Sequence, residues 1–324
     1  MLMSSSILVI TFNSSKNLSR IGELIKGSLE CADEILFIDN ASTDSTLGIL
    51  EVISSHYEKI RIIRNSKNIG YRKAFNQGVR ELNSDFIISL NLDIQFKKGR
   101  VCDLISVINS SKHCSCALPM VIQQDRVEPY FISLFTIPFL NIHNQSKGEL
   151  FKKELTSETD ICGGPVFIFR REAYLRSGGL YDETFMYNEE PEMSIKMKTL
   201  GDKFLVTSKV IVTHEWGNSS SNFTTKKEKH DFFINNWLYS TIFLYRKMFY
   251  DDPFFKKLCW YFLYFLKAIQ YSIFYMKPSY TKIGIWNLIE THPVRDITGY
   301  RMKWKISLII RNQLYEIFVK ANKK

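Results

Sequence analysis

The sequence predicts an α/β fold: a mostly parallel sheet with helices on both faces, followed by a helical, aromatic-rich and basic C-terminal region. Three observations carry this. Short apolar runs alternate with helix-period segments at the spacing of βαβ units over the first hundred residues. Each apolar run ends in polar residues. From about Thr225 onward the composition turns basic and strongly aromatic.

In chain order, Ile7–Ile10 is a buried strand closed by Thr11, Phe12 and Asn13, and Leu18–Leu29 has helical spacing. Glu34–Ile38 is a second strand, closed by Asp39-Asn-Ala-Ser-Thr-Asp44, and Thr46–Ser55 is a helix. Ile60–Arg64 is a third strand and Arg72–Leu82 the next helix, with the turn Asn65–Gly70 between them. Phe86–Leu90 is a fourth strand closed by Asn91-Leu-Asp93. In open α/β sheets ligands bind at the carboxyl ends of the strands, so Asn13, Asp39, Asn68 and Asp93 are expected on one edge. Further on, Gly163-Gly164 lets the backbone pass close to a ligand or another strand. Val210–Val212 is an apolar strand that leads into His214.

Phe185–Gly201 is the most informative segment. Glu189, Glu190 and Glu192 crowd one acidic turn before an amphipathic helix, with Met193, Ile195, Met197 and Leu200 on its apolar side and Lys196 and Lys198 on its polar side. Clustered, buried carboxylates have raised pKa values and suit a base, a metal site or a cationic partner. A solvated helix N-terminus stabilised by the helix dipole is the alternative.

The other motifs each carry two readings. Asp39 can accept hydrogen bonds from a ribose hydroxyl or a base N–H, whereas Ser42, Thr43 and Asp44 suit a helix N-cap. The helix start after Asn68-Ile-Gly70 suits an anion, and Arg72 and Lys73 either neutralise a diphosphate or form a solvated face. Asp93 is a turn residue or an oxygen ligand for Mg²⁺ or Mn²⁺. His214 is a structural histidine or a metal ligand beside Asp93.

The chain holds 324 residues at net charge +10. From Thr225 to Lys324 there are 18 basic and 7 acidic residues, a charge of +11, against 25 basic and 26 acidic in the remainder. That asymmetry belongs to a surface-binding module. Leu258–Met276 is apolar and aromatic but interrupted by Lys267 and Gln270. It reads as helices lying at an anionic membrane surface rather than crossing it. A helical cap on the first domain and a dimer interface are the alternatives. No nucleic-acid motif accompanies the basic and aromatic composition. The six scattered cysteines suggest reduced thiols and a cytoplasmic setting, and the N-terminus lacks signal-peptide features.

As an ordered set, these motifs resemble the inverting family 2 glycosyltransferases, especially the bacterial rhamnosyltransferase-like branch. The resemblance covers Ile7 to Ser220. It rests on Ile10–Asn13, Asp39–Asp44, Asn68–Gly70 with Asn76, Asn91–Asp93, Gly163-Gly164 with Arg170-Arg171, Gly178–Glu183, Phe185–Glu192, and His214 with Ser219. It implies a GT-A fold, a Rossmann-like domain over residues 1–224 with the C-terminal region at 225–324.

The resemblance also implies donor-binding roles for Thr11, Asn13, Asp39, Asn68 and Gly70, with Arg72 and Asn91 as further donor-side candidates. Asp93 and His214 become the metal ligands, in a motif that reads Asn-Leu-Asp where the family usually has a second carboxylate. Glu190 is the implied general base, with Glu189 as its substitute, because the family's Glu-Asp-x-Asp stands here as Glu189-Glu190-Pro191-Glu192. Gly163, Gly164 and Glu192 are acceptor-side candidates. The implied donor is dTDP-L-rhamnose or a UDP-sugar, and the implied acceptor is a glycan or lipid-linked polysaccharide precursor on the inner face of a bacterial membrane. A nucleotide-sugar-binding protein without turnover and a nucleotidyltransferase are the competing classes.

Overall fold

The computed structural model describes residues 3–18, 25, 27–123, 126–128, 154–159 and 162–214, with Phe232, Asn236, Ser240, Phe243, Leu244 and Lys247. The strands are β1 (Ser5–Thr11), β2 (Glu34–Asp39), β3 (Ile60–Arg64), β4 (Phe86–Leu90), β5 (Ile94–Lys98), β6 (Cys114–Gln123), β7 (Arg126–Glu128), β8 (Thr156–Thr159), β9 (Val166–Arg170) and β10 (Lys203–His214). The helices are α1 (Ser15–Leu18), α2 (Thr46–His56), α3 (Tyr71–Glu81), α4 (Val101–Asn109), α5 (Arg171–Arg176) and α6 (Glu189–Thr199).

One sheet runs β3-β2-β1-β4-β9-β6-β10-β5, with β7 added to β6 and β8 to β10. Parallel pairing holds through β3-β2-β1-β4, where helical crossovers connect the strands, and recurs between β6 and β10. The other pairings are antiparallel, so the sheet is mixed. Helices cover both faces, as expected. Ile7, Val9, Ile35 and Phe37 pack with Leu50 of α2 and with Val101, Leu104 and Ile108 of α4. The alternate residues Leu8, Leu36 and Ile38 pack with Ala74, Phe75 and Val79 of α3 and with Met193 and Met197 of α6. This is the period-2 alternation of a sheet buried on both sides.

Register brings the strand ends level. Thr11 stands beside Asp39, and Asp39 beside Arg64. The expectation of uniformly reduced cysteines is corrected: Cys31 and Cys102 form a disulfide across 71 residues of sequence. Cys31 and α4 meet on one face of the sheet, a proximity that chain spacing does not reveal. Cys114, Cys116 and Cys162 are buried free thiols, and burial pushes Cys114 up to about 11. Among the described residues, no helix is long and apolar enough to cross a membrane. Leu258–Met276 and the boundary at Thr225 lie outside the described residues.

Candidate active site

The edge formed by β1, β2 and α3 is held by hydrogen bonds from uncharged donors around one buried carboxylate. Asp39 is fully buried and accepts from the Ser42 amide (3.1 Å), the Ser42 hydroxyl (2.5 Å) and the Thr11 hydroxyl (3.2 Å). Asn13 adopts φ 49°, its amide donates to Ser42 Oγ (2.9 Å), and its Oδ1 accepts from the Thr43 amide (2.7 Å). Asp44 starts α2, accepting from Thr46 and Ser15. Burial opposes its ionisation, but these bonds outweigh burial and lower its pKa.

Asn40 is a residue to which sequence reasoning gave no role. Its Nδ2 donates to Asn68 Oδ1 (2.8 Å) and Gly70 O (3.3 Å), and its Oδ1 accepts from Ile69 N (3.1 Å). Asn68 Oδ1 accepts in addition from Gly70 N (3.0 Å). The turn before α3 is thus tied to the end of β2. Its only signal in the sequence was a position next to Asp39.

Gly70 has φ 85°, open to glycine at little cost, and a Cβ there would lie 2.6 Å from Phe185 O. The turn at Gly70 therefore touches the acidic segment. Glu190 follows Tyr187 (φ 74°) and Asn188 (φ 63°), two successive non-glycine residues in the left-handed region. Such strain persists only where the surroundings hold it, and it concentrates at functional sites. Gly163 (φ 126°) packs against Glu190, whose Cγ would lie 2.3 Å from an added Cβ. Burial and the neighbouring Glu189 carboxylate raise Glu190 to about 7. Burial also raises Glu189, although Arg72 opposes this.

Arg72, a donor-side candidate, is paired with the acidic segment. It is 1% exposed, and its Nη1 meets Glu192 Oε2 at 2.6 Å and Tyr181 O at 3.2 Å, while Nε lies 3.7 Å from Glu189. Glu192, an acceptor-side candidate, is its partner. It is also 1% exposed, and its Oε1 accepts from Lys196 Nζ (2.7 Å) and the Tyr181 amide (2.6 Å). Lys196, on the polar side of the helix, is nonetheless buried by this partner and by the Tyr181 ring 3.4 Å from its Nζ. Burial lowers the Lys196 pKa despite the attraction of Glu192. Leu200, expected on the apolar side, is 42% exposed because α6 ends before it. Asn76 is also structural, bonded to Leu180 O (2.8 Å) and Asp182 Oδ1 (2.6 Å) and accepting from the Tyr174 hydroxyl.

Asp93 and His214 do meet. β5 and β10 pair antiparallel, and His214 Nε2 lies 3.2 Å from Asp93 Oδ1 with both side chains nearly buried. Among the described residues no group of three or more His, Cys, Asp or Glu side chains gathers as a metal site. Asn91 donates its amide to Pro165 O (2.8 Å), tying the Asp93 loop to Gly163-Gly164. Contacts therefore run without a break from Thr11 and Asp39 through Asn40, Gly70 and Phe185 to α6. They continue from Glu190 through Gly163 and Pro165 to Asn91.

The curated relatives include a dolichol-phosphate mannosyltransferase of Pyrococcus furiosus, 28% identical over 33% of this chain and 31% of its own length. They also include an N-acetylglucosaminyl-diphospho-decaprenol L-rhamnosyltransferase of Mycobacterium tuberculosis, 20% identical over 66% of this chain and 76% of its own. The chain thus spans about a third of the first relative and three quarters of the second. Among solved structures, GalNAc-T7 with UDP, GalNAc and Mn²⁺ shares the fold at TM-score 0.53 and 19% identity, covering 66% of this chain and 44% of that one. The fold is GT-A. The family model for glycosyl transferase family 2 matches residues 6–177, more than half of the chain, and the chain belongs to that family.

Proposed function

We propose that the chain transfers a sugar from a nucleoside diphosphate to an acceptor hydroxyl with inversion, with Glu190 as general base. One observation carries this: a carboxyl raised to about 7 by burial and by Glu189, standing at the start of α6 behind two left-handed residues. A base poised near neutrality takes a hydroxyl proton most effectively at neutral pH. Glu190 accepts the acceptor's proton, the hydroxyl oxygen attacks the anomeric carbon, and the nucleoside diphosphate departs. Thr11, Asn13, Asp39, Asn68, Gly70 and Asn91 form the proposed donor side, with Gly163 and Gly164 on the acceptor side.

One carboxylate oxygen and one imidazole nitrogen, 3.2 Å apart, form a donor set that suits a divalent ion with positions left for phosphate oxygen and water. Asp93 and His214 would hold Mg²⁺ or Mn²⁺. When bound, the ion neutralises charge on the departing diphosphate. The Mn²⁺ in the GalNAc-T7 structure supports this reading.

The mycobacterial relative's name supports L-rhamnose as the sugar and a lipid-diphosphate acceptor; dTDP-L-rhamnose is the proposed donor, with UDP-sugars as the second donor class. The +11 charge of residues 225–324 supports an anionic membrane surface as the place where such an acceptor is met. The test is a panel of nucleotide sugars offered to the purified full chain with and without Mn²⁺, read as nucleoside diphosphate release. One donor class should turn over and Glu190→Gln should not. Binding without release across the panel would support a non-catalytic nucleotide-sugar-binding protein.

A further inference from the structure

We propose that Ser240 is a positioning residue of this reaction: it holds the turn from which α6 starts and so sets where Glu190 stands. The inference rests on the reading of Glu190 as the base. Phe232, Asn236, Ser240, Phe243 and Lys247 are helical and three or four residues apart, the spacing of one helix face, with Leu244 beside Phe243. That face grips the turn Tyr181–Asn188 at four points. Ser240 Oγ accepts from Asn188 Nδ2 at 2.7 Å, with both residues 1% exposed. Lys247 Nζ meets Glu183 Oε1 at 2.8 Å. Phe243 lies edge-on to Tyr181 at 5.8 Å, and Phe232 edge-on to Phe185 at 6.3 Å.

The Ser240 bond is the one closest to the chemistry. Asn188 is the N-cap of α6, yet its side chain makes no cap to the helix. An N-cap asparagine ordinarily bonds the first free amides of its own helix. Here the amide group reaches across to a segment 52 residues away. Its backbone sits at φ 63°, ψ 23°, next to Tyr187 at φ 74°. A pair of left-handed residues has no local reason to persist, so the outside grip fixes it. From the other side the turn at Gly70 presses against Phe185. The segment before α6 is therefore clamped between the Gly70 turn and the C-terminal face. Glu190 follows Asn188 by two residues, so rotation at Asn188 swings its carboxylate. A misplacement of about 1 Å costs on the order of 10²-fold in rate.

The test compares Ser240→Ala, Ser240→Thr and Glu190→Gln in the full chain, using the nucleotide sugar that turns over. Ser240→Ala is expected to lower kcat about tenfold, with donor KM within about twofold and little change in Tm. Its pH–rate profile should shift to lower pH as the loosened turn lets water reach Glu190. Ser240→Thr, which keeps the hydroxyl, should regain most of kcat. Lys247→Gln removes the ion pair to Glu183, should lower kcat in the same manner, and serves if Ser240→Ala does not fold. Wild-type kcat in Ser240→Ala, or a loss that follows Tm and is not recovered by threonine, overturns the positioning role while leaving Glu190 as base. An active Glu190→Gln overturns the base assignment and this role with it.

Discussion

The edge around Asp39 and the turn around Glu190 both hold polar groups at the margin of a core, but by different means. Around Asp39 one carboxylate accepts from the uncharged donors of Thr11 and Ser42, and Asn13 and Asn40 extend a mesh of neutral hydrogen bonds beyond it. Around Glu190 the framework is ionic: Arg72, Glu192 and Lys196 are buried, with Glu189 half-buried beside them. Neutral bonds fix a shape and are worth about 1 kcal/mol each. Buried charges fix a shape and also set protonation, because each acts on its neighbours in a medium that screens poorly. Burial and Glu189 raise the Glu190 pKa, and the attraction of Arg72, which is paired with Glu192, opposes this only in part.

Four changes would break or sharpen this contrast. The largest effect is expected for Glu190→Gln, with kcat lowered about 10²–10⁴-fold and donor affinity retained in calorimetry. The same variant tests the ionic side by stability. The Glu190 carboxyl is raised from 4.5 to about 7, so the folded state binds more protons than the unfolded state between those values. Its contribution is therefore present below about 4.5 and lost as pH rises through about 7. Glu190→Gln should be more stable than the parent at pH 8, by on the order of 2–3 kcal/mol, and no more stable at pH 4. Denaturant melts at the two pH values decide it.

Glu192→Ala should come next, costing about 3–5 kcal/mol by leaving Arg72 and Lys196 buried without their partner. If Glu192 instead served an acceptor, stability would hold and acceptor KM would rise. On the neutral side, Asn40→Ala should cost about 1–3 kcal/mol and weaken nucleoside diphosphate binding by loosening the Gly70 turn. The smallest effect is expected for Thr11→Val, about 0.5–1.5 kcal/mol, with one of three bonds to Asp39 removed. A larger loss in Thr11→Val than in Glu192→Ala would reverse the ranking of the two regions.

The two regions also differed in how readable they were. Apolar runs closed by Thr11, Asp39 and Asn91 announce strands and the polar edge where they end, because a strand buried on both faces leaves few alternatives. The pairing of Asp93 with His214 followed from motif order, and the structure places them 3.2 Å apart. α6 misled because its partners lie far along the chain. Lys196 and Glu192 look like surface residues until Arg72, 120 residues from Glu192, is brought between α3 and α6. Asn40 was hidden because its partners are mostly backbone groups and amides. The grip of Ser240 on Asn188 was hidden because neither residue type signals a long-range bond. The antiparallel half of the sheet was obscured by weaker strand punctuation after residue 100.

The level register of β1, β2 and β3 has a consequence for how such a protein can diverge. Thr11 and Asp39 share a face with Val9 and Phe37, so the residues that shape the edge extend the rows that fill the core. Side chains alternate with period two, and a single inserted residue within β2 would turn Asp39 to the opposite face. Surface connections between elements can lengthen or shorten under selection, because few buried contacts depend on their length. The strands cannot change length by one. Drift in this lineage should therefore accumulate as substitutions and loop indels, with the strand interiors free of odd-numbered gaps.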